Sequence, residues 1–265
     1  MARIGIIAGQ GNLPLVLKSA HPDAFVAGLV GATVPEVDHW VEFEKLGHLF
    51  EALRTAGVQE VIFAGATQRP QFDPAKLDDV TRALLPRLMP VMSQGDDAVL
   101  RVVMDEFTAQ GFTMRGAHEV LSHLTLVDGQ ILGATPNEGQ HRDAQIGRDH
   151  LAHLSALDIG QGIVIESGLC LGVETLQGTD ALLGFVGQTD HSLRRGAGVL
   201  IKMPKRDQDL RADVPVIGRT TVEAAHRAGL SGIAVASGAV MVMDQDWMQD
   251  ALPNLGFTVF SVPHG

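Results

Sequence analysis

The feature that most constrains the fold is the alternation of short apolar runs with helical patterns over the first 130 residues. Runs of strand length occupy residues 3–8, 25–30 and 60–64. Helical patterns occupy residues 13–20, 43–56, 74–88 and 97–110. Strands that alternate with helices favour a parallel sheet, because each crossover helix returns the chain to the same edge. We therefore predict a parallel α/β domain at the N-terminus.

The second half of the chain also mixes strand and helix patterns. It follows a polar stretch, Thr135 to His141, where we place the boundary between a domain at residues 1–134 and a domain at residues 135–265. Strand candidates lie at residues 162–166, 169–174, 198–203, 232–236, 239–243 and 257–262. Helix candidates lie near residues 143–156, 180–188, 220–228 and 245–254. A distinct, mixed α/β C-terminal domain is expected.

The composition restricts the compartment and the partners. The formal charge of −11 argues against nonspecific binding to nucleic acid or to an anionic bilayer. The single cysteine, Cys170, excludes an intrachain disulfide, and its apolar neighbours predict a buried structural thiol. No apolar run has the form of a signal peptide or reaches the roughly 20 residues of a spanning helix. We expect a cytoplasmic protein without a transmembrane segment.

Charge is uneven along the chain. Between Arg194 and Arg219 there are seven bases and three acids, which makes this segment locally +4. A positive island in an acidic protein suits capture of a phosphorylated small molecule, and a solvated basic face explains the same charges equally well. The island therefore needs support from motifs.

A glycine turn joins the first strand to the first helix, at Gly9-Gln10-Gly11-Asn12-Leu13-Pro14. Such a turn directs backbone N–H groups and the positive end of the helix at an anion, so these residues, from Gly9 to Pro14, are candidates for substrate binding. Pro14 stands where a dinucleotide fingerprint has its third glycine, and no acid ends the strand at 25–30, so NAD is disfavoured. A tight structural turn is the alternative.

Two further loops are predicted at the same edge of the sheet. Gly65 follows the apolar run at 60–64, and Arg69 lies four residues further on, where it could reach a phosphate or a nucleobase. Gly95, Asp96 and Asp97 open the helix near 97–110. The carboxylates of the two aspartates could bind uracil or ribose hydroxyls, or simply cap the helix. Three loops at one edge favour a nucleotide pocket.

The second half carries the candidates for chemistry. Thr179 and Asp180 open a helix, as an N-cap or, for Asp180, as a ligand of a divalent cation. Lys202 and Lys205 lie at the end of a strand candidate, and Asp213 precedes the next helix. Pyrophosphate hydrolysis needs positive charge on the phosphoryl oxygens and a carboxylate that positions metal or water.

Seven motifs, taken in their order along nearly the whole chain, resemble the LpxI family of UDP-2,3-diacylglucosamine pyrophosphatases. They are IAGQGNLP, FAGATQRP, QGDDAVLR, GAHEVL, LDIGQG, VETLQGTD and KMPKRDQDLRADVPVIG. The middle of FAGATQRP and the residue after Pro215 depart from the family pattern. The glycines and the aspartate remain.

The resemblance implies an N-terminal Rossmann-like domain, a distinct C-terminal domain and a homodimer. It implies hydrolysis of UDP-2,3-diacylglucosamine, a lipid-linked UDP-sugar, to UMP and 2,3-diacylglucosamine 1-phosphate in lipid A biosynthesis. Mg²⁺ or another divalent cation would assist, and the enzyme would touch the cytoplasmic face of the inner membrane transiently. Asp213 takes the essential aspartate position by motif match, with Asp213 and Asp180 as metal ligands and Thr179, Lys202 and Lys205 near the phosphates.

Two alternatives stay open on the sequence. A nicotinamide-dependent oxidoreductase is suggested by the glycine turn and weakened by the missing third glycine and by the absence of tyrosine. A noncatalytic module that binds a nucleotide or a lipid is the second alternative. The clustering of Asp180, Lys202, Lys205 and Asp213 along the sequence argues against it, because binding alone would not need these charged residues. Binding of NAD would identify the oxidoreductase, and binding of the substrate without turnover would identify the noncatalytic module.

Overall fold

The computed structural model describes residues 2–67, 73–92, 96–206 and 208–264, which form two compact units. The first unit comprises Met1–Leu121 together with Arg211–Asp213. Its helices and strands are β1 (Arg3–Ala8), α1 (Leu13–Ala20), β2 (Phe25–Gly28), β3 (His39–Trp40), α2 (Leu46–Thr55), β4 (Val58–Ala64), α3 (Asp79–Leu88), α4 (Asp96–Ala109), β5 (Thr113–Arg115) and α5 (Ala117–Val120).

The second unit comprises Ser122–Leu210 and Val214–Gly265. Its helices and strands are β6 (Ile131–Gly133), α6 (Glu138–Ser155), β7 (Gly162–Glu166), β8 (Leu169–Val173), α7 (Gly178–Gly187), β9 (Val199–Lys202), β10 (Val216–Ile217), α8 (Arg219–Arg227), β11 (Gly232–Ala236), β12 (Met241–Val242), α9 (Gln245–Leu255) and β13 (Thr258–Val262).

The first unit is built on a five-stranded sheet in the order β3-β2-β1-β4-β5, and all its pairings are parallel. This confirms the predicted parallel α/β domain. Sequence periodicity missed the short strands β3 and β5, because strands of two or three residues are too short to show an alternation. Helix ends agree with the prediction, since Gly57 and Gly111 both take the left-handed conformation at φ of 71° and 94°.

Aromatic packing holds the helices of the first unit against one face of this sheet. The ring centroids of Phe50 on α2 and Phe107 on α4 lie 4.9 Å apart in an edge-to-face contact, and Phe63 of β4 contacts Phe107 at 5.3 Å. Phe112 stacks on Phe50 at 6.1 Å. Edge-to-face and offset contacts are the arrangements that aromatic quadrupoles favour, so this cluster fixes α2 and α4 on β4.

The second unit carries a six-stranded mixed sheet in the order β6-β13-β11-β9-β7-β8. Its centre, β13-β11-β9, is parallel, whereas β6 and β7 run in the opposite direction to their neighbours. Because β8 is antiparallel to β7, it runs in the same direction as β9. The carboxyl ends of β8, β9, β11 and β13 therefore lie at one edge, and the mixed α/β prediction is confirmed.

The structural division of the chain differs from the predicted boundary at 134/135. Residues 122–134 group with the second unit because β6 pairs with β13, from Gly133 opposite Thr258 to Ile131 opposite Phe260. Conversely, Arg211–Asp213 groups with the first unit, where Ala212 is buried in the hydrophobic core. The polar stretch from Thr135 to His141 contains the start of α6, which Asn137 and Gln140 cap with a reciprocal capping box.

Cys170 differs from its prediction as a buried thiol, because it lies exposed on β8, the edge strand of the second sheet. Among the described helices, none combines the length and the apolar composition needed to cross a bilayer.

A buried ion pair fastens the loop before β9 to the end of β7. Arg194 lies 2.6 Å from Glu166, whose side chain is 2% exposed, and Arg194 also donates to the carbonyl oxygens of Ala228 and Gly229. Burial by itself would raise the pKa of Glu166, but Arg194 and the backbone N–H of Arg195 hold that pKa below its ordinary value. A carboxyl with a lowered pKa stabilises the fold above its unfolded pKa and loses this contribution as the pH falls through its folded pKa.

Glu166→Gln should lower the free energy of unfolding by about 3 kcal/mol near neutral pH, because Arg194 would keep a buried charge without its counter-charge. The difference from wild type should shrink at an acidic pH below the lowered folded pKa of Glu166, where wild-type Glu166 becomes protonated as well. Denaturant unfolding at both pH values measures this. Asp250→Asn, at an exposed position on α9, is the control. Equal stability of wild type and Glu166→Gln at neutral pH would contradict the assignment.

Candidate functional site

The candidate site of the first unit lies where the strand order reverses. Strand β1 pairs with β2 on one side and with β4 on the other, so the chain leaves β1 in one direction and later returns on the opposite side. Loops that follow such strands diverge at the carboxyl edge and leave a crevice, which is the usual ligand position in open parallel sheets. The two predicted glycine loops follow β1 and β4, and both therefore border this crevice.

Backbone hydrogen bonds tie these two loops together. The N–H of Gln10 donates to the carbonyl of Ala66 at 2.8 Å, and the N–H of Ala66 donates to the carbonyl of Gln10 at 3.0 Å. The N–H of Gly9 donates to the carbonyl of Ala64 at 2.7 Å. Since the N–H groups of Gly9 and Gln10 are engaged in this contact, they are not the anion donors that the glycine turn predicted.

Glycine is required at this contact by close approach. A β-carbon on Gly9 would lie 2.3 Å from the carbonyl oxygen of Ala66, and one on Gly65 would lie 2.4 Å from that of Gln10. Gly65 also has a φ of 87°. The structural interpretation of these two glycines therefore holds, and it also explains how the edge of the crevice is formed.

The remaining residues of the turn divide into exposed and buried ones. Gly11 and Asn12 are exposed immediately before α1, where the first N–H groups of a helix have no partner within the helix and are suited to bind an anion. Leu13 and Pro14 are buried, so their side chains belong to the core and not to a ligand surface. Of these two, only Leu13 has a backbone N–H that could contribute to binding.

The other predicted residues of the first unit are only partly described. Arg69 and Gly95 lie outside the described residues. Asp96 begins α4, but its side chain is likewise outside the described part. Asp97 pairs with Arg101 at 2.9 Å, one turn along the helix, which gives its carboxylate a structural contact within α4.

In the second unit, three side chains meet where β8 and β9 end. The ammonium of Lys202, the last residue of β9, donates to Glu174 at 2.8 Å and to the hydroxyl of Thr179 at 2.7 Å. The Thr179 hydroxyl in turn donates to the same carboxylate oxygen of Glu174 at 2.9 Å. The structure thus brings two predicted residues, Thr179 and Lys202, into direct contact, and it adds Glu174.

Glu174 was missed as a functional residue, although it lies within the quoted motif VETLQGTD. The available signal was a lysine at the end of an apolar strand. Lys202 is 5% exposed, and a lysine buried to this extent requires an acid partner. Sequence alone does not show which of the nearby acids meets it.

The predicted positive island is largely neutralised. At least four of its seven bases pair with acids from outside the segment. These pairs are Arg194 with Glu166, Lys202 with Glu174, Lys205 with Asp158 and Arg219 with Glu223. The local charge of +4 therefore overstates the field at this surface, because a charge count along the sequence omits partners that the fold brings in.

The two candidate metal ligands are both exposed, Asp180 in the first turn of α7 and Asp213 in the segment that groups with the first unit. Asp180 also lines a groove of about 500 Å³ between α7 and α8. Within the described ranges, no group of three His, Cys, Asp or Glu side chains could hold a metal ion. Mg²⁺ is commonly held by one or two carboxylates and substrate phosphates, so oxygens of the substrate would have to complete its coordination.

Comparison with known proteins agrees with this two-part architecture. The family model for the LpxI N-terminal domain matches residues 3–124, and the model for the LpxI C-terminal domain matches residues 127–260. The UDP-2,3-diacylglucosamine pyrophosphatase LpxI of Caulobacter vibrioides is 39% identical over 274 residues, which cover 99% of this chain and 98% of that protein. The chain belongs to the LpxI family. The resemblance found in the motifs is therefore confirmed.

Gly9→Ala should separate the two loops of the first unit, because the new methyl group would meet the carbonyl oxygen of Ala66. We expect a loss of about 2–4 kcal/mol in the free energy of unfolding, as for other overpacked or strained positions. Gly11→Ala is the matched control, since its φ is 97° but no atom lies within 4 Å of the added β-carbon, and it should lose only about 1 kcal/mol. Denaturant unfolding compares the two, and equal losses would contradict the close-approach argument.

Proposed function

We propose that this chain hydrolyses the diphosphate of UDP-2,3-diacylglucosamine to UMP and 2,3-diacylglucosamine 1-phosphate, in lipid A biosynthesis. The observation that carries the proposal is the match to a curated pyrophosphatase with this substrate in its name, at 39% identity over 99% of the chain. The family models for the LpxI N-terminal and C-terminal domains match the first and second halves of the chain, respectively. This disfavours the nicotinamide-dependent oxidoreductase and the noncatalytic module.

The crevice of the first unit is the proposed nucleotide-binding part. Gly11 and Asn12 are exposed at the start of α1, where the N–H groups and the helix dipole favour a phosphate. Gly9 and Gly65 serve this site through their loop contact. Asp96 and Asp97 begin α4, and their carboxylates are proposed to bind ribose hydroxyls or uracil.

Asp213 is proposed to carry the hydrolysis. Positive charge that stabilises the diphosphate is proposed to come from Lys202, where β8 and β9 end. Asp213 is exposed, so its carboxylate can position an attacking water for the diphosphate. Lys202 and Thr179 would orient a phosphoryl group from the second unit, with Lys205 nearby on the loop after β9. Charge stabilisation of this kind is a major part of phosphoryl-transfer catalysis.

A divalent cation, Mg²⁺ or a similar ion, is proposed as cofactor. It would neutralise negative charge on the diphosphate when bound. Asp213 and Asp180 are the carboxylates proposed to hold it, together with oxygens of the substrate.

The test is release of UMP from UDP-2,3-diacylglucosamine by the purified chain, with Mg²⁺ and with excess EDTA. Wild type should release UMP with Mg²⁺ and lose most of its rate in EDTA. Asp213→Ala should lower kcat by about a hundredfold or more, as loss of a residue that acts on the reacting groups does. Asp250→Ala, an exposed aspartate on α9, is the control and should keep the wild-type rate.

Two results would overturn parts of this proposal. A folded Asp213→Ala variant with a near wild-type kcat would remove Asp213 from the chemistry. An unchanged rate in EDTA would remove the cation. A normal kcat for Asp213→Asn at saturating Mg²⁺, with a raised Mg²⁺ requirement, would assign Asp213 to the cation and not to the water.

We further propose that the protein acts as a homodimer that touches the cytoplasmic face of the inner membrane transiently, where a diacylated substrate resides. Support for self-association comes from β8, an edge strand with Leu169 41% exposed, beside α7 with Phe185 64% exposed. An exposed apolar edge strand readily pairs with another chain. Sedimentation velocity should show a dimer that Leu169→Lys dissociates, and a monomeric wild type at micromolar concentration would contradict the proposal.

A further inference from the structure

The structure assigns Glu174 as a positioning residue that holds Lys202 and Thr179 in place for a phosphoryl group. This inference rests on the proposed function, because it concerns the diphosphate-binding edge of the second unit. The Nζ atom of Lys202, the Oγ1 atom of Thr179 and the Oε2 atom of Glu174 form a triangle with sides of 2.7, 2.8 and 2.9 Å. Each of the three groups therefore fixes the other two.

The carboxylate of Glu174 is what allows Lys202 to lie inside the protein as a cation. Lys202 is 5% exposed, and the side chain of Glu174 is 12% exposed. A buried ammonium without a counter-charge is strongly disfavoured, and removal of one partner from a buried pair costs more than the pair contributes. Glu174 thus provides the counter-charge of Lys202 and fixes its position.

The backbone leaves space for this carboxylate by using glycine. Gly162 begins β7 and pairs in register with Lys202 on β9. A β-carbon on Gly162 would lie 2.4 Å from the Oε2 atom of Glu174, the same atom that binds Lys202 and Thr179. The N–H of Glu174 also donates to the carbonyl of Gly162 at 2.7 Å. Gly162 therefore helps to position the Glu174 carboxylate.

The arrangement leaves one donor for a ligand. An ammonium has three N–H groups, and contacts with Glu174 and Thr179 use two of those on Lys202. Within the part of the chain that the structure describes, the third has no hydrogen-bond partner. The hydroxyl proton of Thr179 is given to Glu174, so Thr179 can offer a ligand only its backbone N–H in the first turn of α7. Both remaining donors suit a phosphoryl oxygen.

The role of Glu174 is distinct from that of a purely structural ion pair, and the chain contains such a pair for comparison. Glu166 and Arg194 are at least as close, at 2.6 Å, and similarly buried. Arg194 engages all three of its nitrogen atoms, in bonds to Glu166 and to two backbone carbonyls, however. In addition, Glu166 ends β7, whereas Gly162 begins it, so the two pairs lie at opposite edges of the sheet. Glu166→Gln is thus the matched control for Glu174→Gln.

The experiment measures three quantities for wild type, Glu174→Gln, Gly162→Ala and Glu166→Gln at fixed Mg²⁺. These are calorimetric affinity for inorganic pyrophosphate, kcat and KM for UMP release per folded molecule, and melting temperature. Glu174→Gln and Gly162→Ala should weaken pyrophosphate binding and lower kcat/KM by about tenfold or more, since each misplaces a charged donor. Glu166→Gln should lower the melting temperature and leave affinity and kcat/KM within about twofold. Gly162→Ala keeps every charge, so it tests position alone.

Thr179→Val keeps the test open where Glu174→Gln does not fold, because it removes the two contacts of the Thr179 hydroxyl while the ion pair of Lys202 with Glu174 remains. It should also weaken pyrophosphate binding. Pyrophosphate affinity and kcat/KM within about twofold of wild type in folded Glu174→Gln, Gly162→Ala or Thr179→Val would overturn the assignment.

The outcome is separable from that of the proposed function. Release of no UMP by wild type, with pyrophosphate binding that Glu174→Gln weakens, would contradict the proposed function and support the positioning role. Normal UMP release by wild type, with Glu174→Gln equal to it in affinity and kcat/KM, would contradict the positioning role alone.

Discussion

The structure depends most on the constraint that parallel strands place on their connections. Neighbouring parallel strands end at the same edge, so every loop that follows such a strand is delivered there. In the first unit this brings the loops after β1 and β4 together at the Gln10–Ala66 contact. In the second unit β8 and β9 run in the same direction on either side of β7, and Glu174 meets Lys202 at the edge where both strands end. Each candidate site is thus a consequence of strand direction.

Buried charge has two different uses in the second unit. Arg194 engages all three of its nitrogen atoms with Glu166 and with backbone carbonyls, so the pair closes a loop. Lys202 is held by Glu174 and Thr179 but retains a donor. Desolvation makes both pairs necessary once the cations are buried. What separates the two pairs is their position, since Lys202 lies where β8 and β9 end, whereas Glu166 lies at the opposite end of β7.

Glycine allows close approach of an oxygen atom at an edge of each sheet. Gly9 and Gly162 both stand where a β-carbon would collide with an oxygen atom, a backbone carbonyl in the first case and a carboxylate in the second. The glycine turn looked from its sequence like a cradle for an anion. Its first two N–H groups instead donate to backbone carbonyls, so the N–H groups that remain for an anion are those that follow, from Gly11 to Leu13.

The sequence by itself determined the long elements and the family. Apolar runs marked β1, and glycines ended α2 and α4, because these signals are local and depend on side chains within a few residues. The motifs together identified the family. Short strands such as β3 and β5 escaped detection, since hydrogen bonds to strands elsewhere in the chain define them.

Only the tertiary structure decided which charges meet. The bases from Arg194 to Arg219 appeared as a positive island, but Glu166, Glu174 and Asp158 come from outside that segment and neutralise part of it. Tertiary contacts also placed Arg211–Asp213 with the first unit. Electrostatic pairing depends on distance in space, which a linear count of charges does not contain. That is why Lys202 could be predicted from its strand, whereas Glu174, its partner, could not.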